Sequence, residues 1–298
     1  MERPKAHIVE VLRQRQIYQL LTEVAVKQGS QIIAASHSEI VLNEAANRDM
    51  VIAFVGPPHR IDDRGSQVLK ALTDIGFDQY YQAELNGWVL YLEGATDLAI
   101  LQAFAAKLGH PAAKELERPF VHYLTTNLPQ RAREHFFGLL EAKHDLVGLA
   151  LFDRIEKPLR TGTPLDETMW QKREIENYLC QESVLIAYAC HDQPDDLFGL
   201  AEADRRERAM RESIAEVTSA LRTLNRPDPW SADIKASDEF LNPLFARFFA
   251  KLEMPNLLQK TDYHVLARLV RKEKLDPEVT TKLDGVLAVA RRAKPRGN

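Results

Sequence analysis

Acidic side chains follow two hydrophobic runs of the sequence. Glu93 comes directly after the run Trp88–Leu92, Asp97 lies four residues further on, and Asp153 follows a second apolar run. If both runs are strands of one parallel sheet, their carboxyl ends meet at one edge and bring these acids together. Magnesium and manganese prefer hard carboxylate oxygens as ligands. The spacing therefore favours a divalent-metal site.

Two further acids, Glu174 and Glu176, lie in a charged stretch beside Lys172. Each candidate acid also has an ordinary structural explanation. Asp97 would complement a helix dipole, Asp153 would form a turn, and Glu174 and Glu176 would open a charged helix. Their joint order within a strand and helix framework favours the metal site.

The middle of the chain alternates short apolar runs with helical patterns. The pattern predicts strands over Trp88–Leu92, Phe120–Leu124 and Leu146–Phe152, and helices over Asp97–Leu108 and Pro129–Ala142. Such alternation is typical of βαβ units and a parallel sheet. We therefore expect an α/β fold, with the ligand site at the carboxyl ends of the strands.

The flanking regions have less regular patterns. Before the alternating region, the sequence predicts a helix over His7–Gln28, strands over Gln31–Ala35 and Met50–Val55, and a helix around Gln67–Ile75. After it, the patterns are helical. The predicted helices cover Ile175–Tyr188, Asp204–Leu224, Ser237–Lys251, Asp262–Lys272 and Pro277–Ala293.

Composition excludes several protein classes. The chain has 298 residues, a net charge of −4, 45% hydrophobic residues and only two cysteines, which argues against disorder and against a disulfide framework. No apolar stretch approaches the roughly 20 residues of a membrane span, and the first residues lack a signal-peptide pattern. We expect a cytoplasmic protein without membrane contact.

Three motifs together resemble a known family. Leu90–Asp97 resembles the first motif of Toprim domains, and Leu149–Asp153 resembles their acidic strand. Arg173–Tyr178 is similar to a stretch in the Toprim domains of OLD (overcoming lysogenization defect) nucleases, which join an ABC-type ATPase to a C-terminal nuclease. The resemblance covers the chain from about Gln67 to its end. It implies a Toprim-type parallel sheet flanked by helices, with a largely helical insertion and C-terminal subdomain.

The resemblance also implies roles for the acids. Glu93 would be a metal ligand or general base, and Asp97 and Asp153 would be metal ligands. Glu176, with Glu174 beside it, would complete a site for two Mg²⁺ or Mn²⁺ ions.

One position departs from the family pattern, and one lysine matches it. Toprim domains commonly have Asp-x-Asp on the acidic strand, whereas Ile155 occupies the second position here. Either Glu156 or the Glu174 and Glu176 pair would compensate. Lys260 matches a late lysine of OLD nucleases that stabilises charge near the scissile phosphate.

The N-terminal segment resembles the last strand and switch histidine of an ABC ATPase, with His37 in that place. No G-x-x-x-x-G-K-[ST] loop occurs in the sequence, so we expect no ATP hydrolysis by this chain. The implied partners are an N-terminal ATPase domain that precedes this segment and a second copy of the full-length protein.

These observations predict five segments. They are an ATPase remnant over residues 1–58, a connector over 59–87, a Toprim core over 88–180, a helical subdomain over 181–251, and completing helices over 252–298.

The expected function is metal-dependent cleavage of double-stranded DNA. Arg268, Arg271 and Lys272 are candidates for contacts to backbone phosphates, although a solvated helical face explains them as well. Two alternatives remain open. The chain is then either a catalytically silent regulatory or assembly module, or a doubly wound α/β phosphotransferase that also binds magnesium.

Overall fold

The computed structural model describes most of the chain. The described residues are 4–36, 38–46, 48–54, 58–60, 75–160, 162, 164–194 and 196–296. They form an α/β structure with a four-stranded parallel sheet, as the sequence predicts. Within the described ranges, no helix is both long enough and apolar enough to cross a bilayer.

The elements follow one another with short connections. The helices are α1 (Pro4–Gln28), α2 (Glu39–Ala46), α3 (Phe77–Asn86), α4 (Ala95–Leu108), α5 (Ala112–Glu115), α6 (Pro129–Ala142), α7 (Glu182–Cys190), α8 (Leu197–Thr223), α9 (Asn242–Lys251), α10 (His264–Leu269) and α11 (Pro277–Arg292). The strands are β1 (Ile52–Ala53), β2 (His59–Arg60), β3 (Trp88–Leu92), β4 (Val121–Tyr123), β5 (Val147–Phe152) and β6 (Leu165–Met169). Short 3₁₀ turns cover Ile175–Tyr178, Lys260–Asp262 and Lys272–Lys274, and a π-helical turn covers Ala236–Leu241.

The chain folds into two compact units that alternate along the sequence. The first comprises the described residues of Met1–Trp88, Arg133–Leu146 and Ala293–Asn298, and the second those of Val89–Ala132 and Val147–Arg292. The five predicted segments stay a prediction.

The parallel sheet has the strand order β4-β3-β5-β6. Its central strands β3 and β5 are apolar and almost wholly buried, which is what a parallel sheet requires. After β3 the chain forms β4 on one side of β3 and then β5 on the other. This reversal creates a topological switch point, where the ends of neighbouring strands leave a crevice for ligands.

Strand β6 has no counterpart in the sequence prediction. Its residues Leu-Asp-Glu-Thr-Met contain no apolar run, yet they pair in parallel with β5 from Gly148 opposite Leu165 to Phe152 opposite Met169. The strand lies at the edge of the sheet, where polar side chains are tolerated. Its end leads directly into the stretch that carries Glu174 and Glu176.

Helices of the second unit support the strands that carry the predicted acids. Helix α11 buries Val279, Leu283, Val286 and Val289 on one face and packs against β5. Helix α4 buries a face that includes Phe104 and packs against α10. These apolar contacts hold the strand ends in a fixed arrangement.

The first unit includes the C-terminal segment of the described chain. Glu84 of α3 is only 1% exposed, and Arg296 neutralises it with a nitrogen 3.3 Å from each carboxylate oxygen. Lys143 donates a hydrogen bond of 3.1 Å to the carbonyl of Lys294. The segment around Lys294 is therefore tied to α3 and to the end of α6.

Several sequence predictions are wrong in their details. Residues 31–35 form no strand, because Ile32 and Ile33 are exposed and lack a strand partner within the described residues. The strand expected over 50–55 shrinks to β1, which pairs antiparallel with β2. The helix around 67–75 lies almost wholly outside the described residues, and the structure has α3 instead just after it.

The C-terminal helical predictions need boundary corrections. The helix expected over 175–188 is a 3₁₀ turn followed by α7, and the one over 237–251 begins with the π-helical turn. The helix over 204–224 starts earlier, at Leu197, and the one over 262–272 covers only α10. Cys180 and Cys190 are free thiols, and both are half-buried.

Replacement of Gly87 by alanine should strongly destabilise the protein. Gly87 has φ +69°, and an added Cβ would lie 2.7 Å from the backbone of Lys294 and Pro295. The cost should reach about 3 kcal/mol or more. Gly109 is a matched control, since its φ is +64° with open space around the Cβ position, and Gly109→Ala should cost only about 1–2 kcal/mol. Urea denaturation measures both, and equal costs would contradict the clash.

Candidate functional site

Each strand of the parallel sheet delivers polar side chains to its carboxyl end. Glu93 follows β3, Asn127 lies four residues after β4, and Asp153 follows β5. Glu174 and Glu176 come shortly after β6. The edge at the switch point is therefore lined by carboxylates and one amide.

Asn127 connects the acids of the two central strands. Its Nδ2 donates to Glu93 Oε2 at 2.6 Å and lies 3.5 Å from Asp153 Oδ2. Its Oδ1 accepts the backbone N–H of Asp153 at 3.1 Å. The preceding Thr125 has φ +54°, a strained value for a β-branched residue. This strain accompanies a turn that aims Asn127 between Glu93 and Asp153.

Asp97 lies in the first turn of α4. Its Oδ2 accepts the backbone N–H of Gly94 at 2.9 Å, so the residue fixes the turn between β3 and α4. Burial raises the pKa of Asp97 to about 6; the Gly94 N–H opposes this rise, and the charge of Glu93 adds to it. Asp97 therefore serves as a helix cap and is also a member of the acidic group.

Glu174 and Glu176 flank the start of the 3₁₀ turn and are both buried, at 3% and 2% exposure. Glu174 accepts the backbone N–H of Ser237. Glu176 has Lys260 beside it, with 3.8 Å between Nζ and Oε1. Asn177, between them and Ile234 in space, donates hydrogen bonds of 3.0–3.1 Å to the carbonyls of Ser231 and Ile234.

Ser237 links this acidic segment to Lys260. The serine is fully buried in the π-helical turn; its N–H binds Glu174, and its Oγ accepts from Lys260 Nζ at 3.2 Å. Burial alone would lower the pKa of Lys260, but the carboxylates of Glu176 and Glu174 raise it above its ordinary value. Lys260 is therefore a cation held at the edge of the acidic group. Isolated π-helical turns are frequent at functional sites.

The acids act on one another electrostatically. Burial raises the pKa of Asp153, and the charges of Asp97, Glu93, Glu176 and Glu174 raise it further. Burial and the charge of Glu174 likewise raise the pKa of Glu176, while Lys260 opposes the rise. Lys260 offsets only part of the negative charge. The site thus favours either protons or additional cations.

The carboxylates do not converge on one point. Among the described residues, no three His, Cys, Asp or Glu side chains are placed to hold a metal ion. Glu93 turns to Asn127, Asp97 to Gly94 and Glu174 to Ser237. Their hard oxygen chemistry suits Mg²⁺ or Mn²⁺, and binding would require these side chains to exchange such partners.

The structure brings most of the predicted site residues into one region. Glu93, Asp97, Asp153, Glu174, Glu176 and Lys260 interact through contacts or charges. Arg268, Arg271 and Lys272 are exposed at the end of α10 and in the turn after it, and their contact with DNA stays a prediction. His37 lies outside the described residues.

The acids around Ile155 differ in their surroundings. Ile155 is half-buried and Glu156 is exposed, whereas the charges of Glu174 and Glu176 act on Asp153. Of the two expected sources of compensation, the Glu174 and Glu176 pair is the one that lies within the acidic group.

Sequence reasoning missed two residues of the site. Asn127 follows a predicted strand, so its place at a strand end was a usable signal. Ser237 offered none, because its role depends on a π-helical turn that has no clear sequence pattern. Comparisons with protein-family models, with curated proteins and with solved structures gave no match.

Raising the pH should destabilise the metal-free protein. Unfolded carboxyl groups have pKa values of about 4, whereas those of Asp153 and Glu176 are raised in the folded chain. Above about pH 4 the folded state therefore binds more protons than the unfolded state, and stability falls as the pH rises through the raised pKa values. We expect the urea midpoint in EDTA to fall between about pH 5 and about pH 8.

Two variants test the source of this effect. Asp153→Asn should reduce the fall, because an amide does not titrate in this range. Glu156→Gln replaces an exposed acid of the same loop and should preserve it. A wild-type midpoint that rises over this pH range would contradict the prediction.

Substitutions of Asn127 should separate its hydrogen bonds from its charge. Asn127→Ala leaves the Asp153 N–H and Glu93 without their partner and should cost about 1–2 kcal/mol. Asn127→Asp adds a negative charge between two acids, so it should cost more than alanine at about pH 8 and less at about pH 5. Denaturation in EDTA measures both, and a cost of Asn127→Asp that does not change with pH would refute this.

Proposed function

We propose that this protein is a metal-dependent DNA nuclease of the Toprim type. The observation that carries the proposal is the gathering of five acids and Lys260 at the switch-point edge of a parallel sheet. Their order along the chain also matches the Toprim-like motifs of the sequence. Phosphodiester cleavage requires charge neutralisation and proton transfer at such an edge, and these residue types provide both.

The acids would hold two divalent cations, Mg²⁺ or Mn²⁺. The candidate ligands are Glu93, Asp97, Asp153, Glu174 and Glu176. When bound, these cations neutralise phosphate charge and lower the pKa of water. The crowding of buried carboxylates supports this assignment, because only Lys260 contacts the group as a cation among the described contacts.

The protein side chains would divide the remaining work. Glu93 is half-buried at the mouth of the group, and Asn127 fixes the orientation of its carboxylate, as a general base requires. Lys260 is held between Ser237 and Glu176, with its side chain 44% exposed. It can therefore place a positive charge next to a phosphate oxygen or the departing oxygen.

Tyrosine nucleophiles receive no support from the geometry. Tyr178 and Tyr263 are buried, and their hydroxyl groups donate to Glu278 and Asn242. Burial raises the pKa of both hydroxyls, and these hydrogen bonds keep them within the core. Hydrolysis by water is therefore favoured over a covalent tyrosine intermediate.

We extend the proposal to the partners. Double-stranded DNA is the substrate, with Arg268, Arg271 and Lys272 as candidate backbone contacts. The resemblance to OLD nucleases adds an ABC-type ATPase domain and a dimer of the full-length protein. The compartment would be the cytoplasm.

A catalytically silent module is the second candidate. Ile155 in place of an acid and the lack of three converging ligands among the described residues favour it. A silent module should show no stabilisation by divalent ions, whereas a working site should raise the Tm when Mn²⁺ is added.

Substitution of Glu93 or Lys260 should abolish DNA cleavage. Purified chain with supercoiled plasmid and Mn²⁺ should nick the DNA, and EDTA should prevent it. Glu93→Gln and Lys260→Met should each lower the rate by about 100-fold or more. Glu156→Gln, which removes an exposed acid near the site, should nick at the wild-type rate.

The outcome separates the two candidates. Nicking that persists in both variants would overturn the assigned roles. Intact plasmid, together with a Tm that Mn²⁺ leaves unchanged, would favour the silent module instead.

A further inference from the structure

Lys235 lies at a backbone position that the site holds on both sides. The carbonyl of the preceding Ile234 accepts from Asn177 at 3.0 Å, and the N–H of Ser237 donates to Glu174. The N–H of Lys235 itself donates to Glu239 at 3.1 Å. Its Cα is thus fixed close to the acidic segment, immediately before the π-helical turn.

The side chain of Lys235 nevertheless stays outside the acidic group. It is 47% exposed, and its Nζ lies 2.5 Å from Asp238 Oδ2, three residues further along the chain. The hydrogen bond to Asp238 raises the pKa of Lys235; burial opposes this, and the charges of Glu174 and Glu93 add to it. The ammonium group is therefore within electrostatic reach of the site and is paired outside it.

Lys235 and Lys260 form a pair of similar cations. Both are roughly half exposed, and each carries a positive charge that disfavours the other. Both are tied to the π-helical turn, Lys260 through Ser237 and Lys235 through Asp238. Two like charges held beside each other are unfavourable unless an anion lies between them or replaces one partner.

We propose that Lys235 binds a backbone phosphate of the substrate, next to the phosphate that Lys260 contacts. A phosphate oxygen would replace Asp238 as the partner of Lys235, in an exchange of ion pairs that breaks no covalent bond. Lys260 is the deeper contact, because it reaches Ser237 and the buried Glu176. Lys235 would then supply affinity and position the strand. This inference rests on the proposed nuclease function.

The salt dependence of DNA binding tests this assignment. The full-length chain is titrated onto a short duplex in Ca²⁺, which carboxylate oxygens also accept, at several salt concentrations. Each phosphate contact contributes a slope of about 0.9 to the plot of log K against log salt. Lys235→Met should lower the slope by about that amount and weaken binding about tenfold. Lys235→Arg should keep the wild-type slope.

Two further variants distinguish binding from stability. Asp238→Asn frees Lys235 from its partner and should tighten DNA binding, whereas the loss of a purely structural ion pair would lower the Tm only. Lys251→Met is the control, since Lys251 pairs with Glu212 and Glu216 of α8. It should leave both affinity and slope unchanged.

The results separate this inference from the proposed function. If wild type nicks plasmid but Lys235→Met binds with unchanged slope and affinity, the assignment of Lys235 is wrong and the nuclease stands. If wild type cuts nothing while its binding still depends on Lys235, the phosphate contact stands and the nuclease does not. Asp238→Asn that loosens binding would also overturn the assignment.

Discussion

Mutual repulsion among the buried acids is the constraint on which the rest of the site depends. Five carboxylates meet at one edge of the sheet, and each is held by its own donor instead of by a shared one. Low polarity around them strengthens the repulsion, so the surrounding amides and the lysine must keep their places. The strands fix where the acids lie, and the hydrogen bonds fix how far apart they stay. A binding site for cations is the natural outcome of this balance.

The sequence allowed the central strands and most of the acids to be predicted, because buried parallel strands are apolar runs with polar ends. Strand β3 and helix α6 have the predicted bounds. Strand β6 could not be predicted, since its pairing with β5 compensates for a composition of Asp, Glu and Thr. Ser237 was also beyond reach. It lies far from the acids in sequence, and its role requires a π-helical turn that tertiary contacts impose.

Strand β6 also changes how the loss of one acid can be understood. Ile155 stands where the resembling family has an acid, but β6 carries the chain back to the same edge. Glu174 and Glu176 follow it and act on Asp153 through their charges. The negative charge missing after β5 is therefore supplied from the neighbouring strand. A site of this kind depends on the geometry of the whole edge more than on any single motif.

The hydrogen bonds that complete the site also set the order in which it can assemble. Asn127 joins Glu93 and Asp153 across 34 and 26 residues, whereas Ser237 reaches Glu174 across 63. Closing longer loops costs more chain entropy and slows folding. During synthesis, the acidic edge emerges from the ribosome well before the lysine-bearing turns. The nascent chain therefore carries its acids without their cations, and it acquires the complete constellation only after most of the polypeptide has been made.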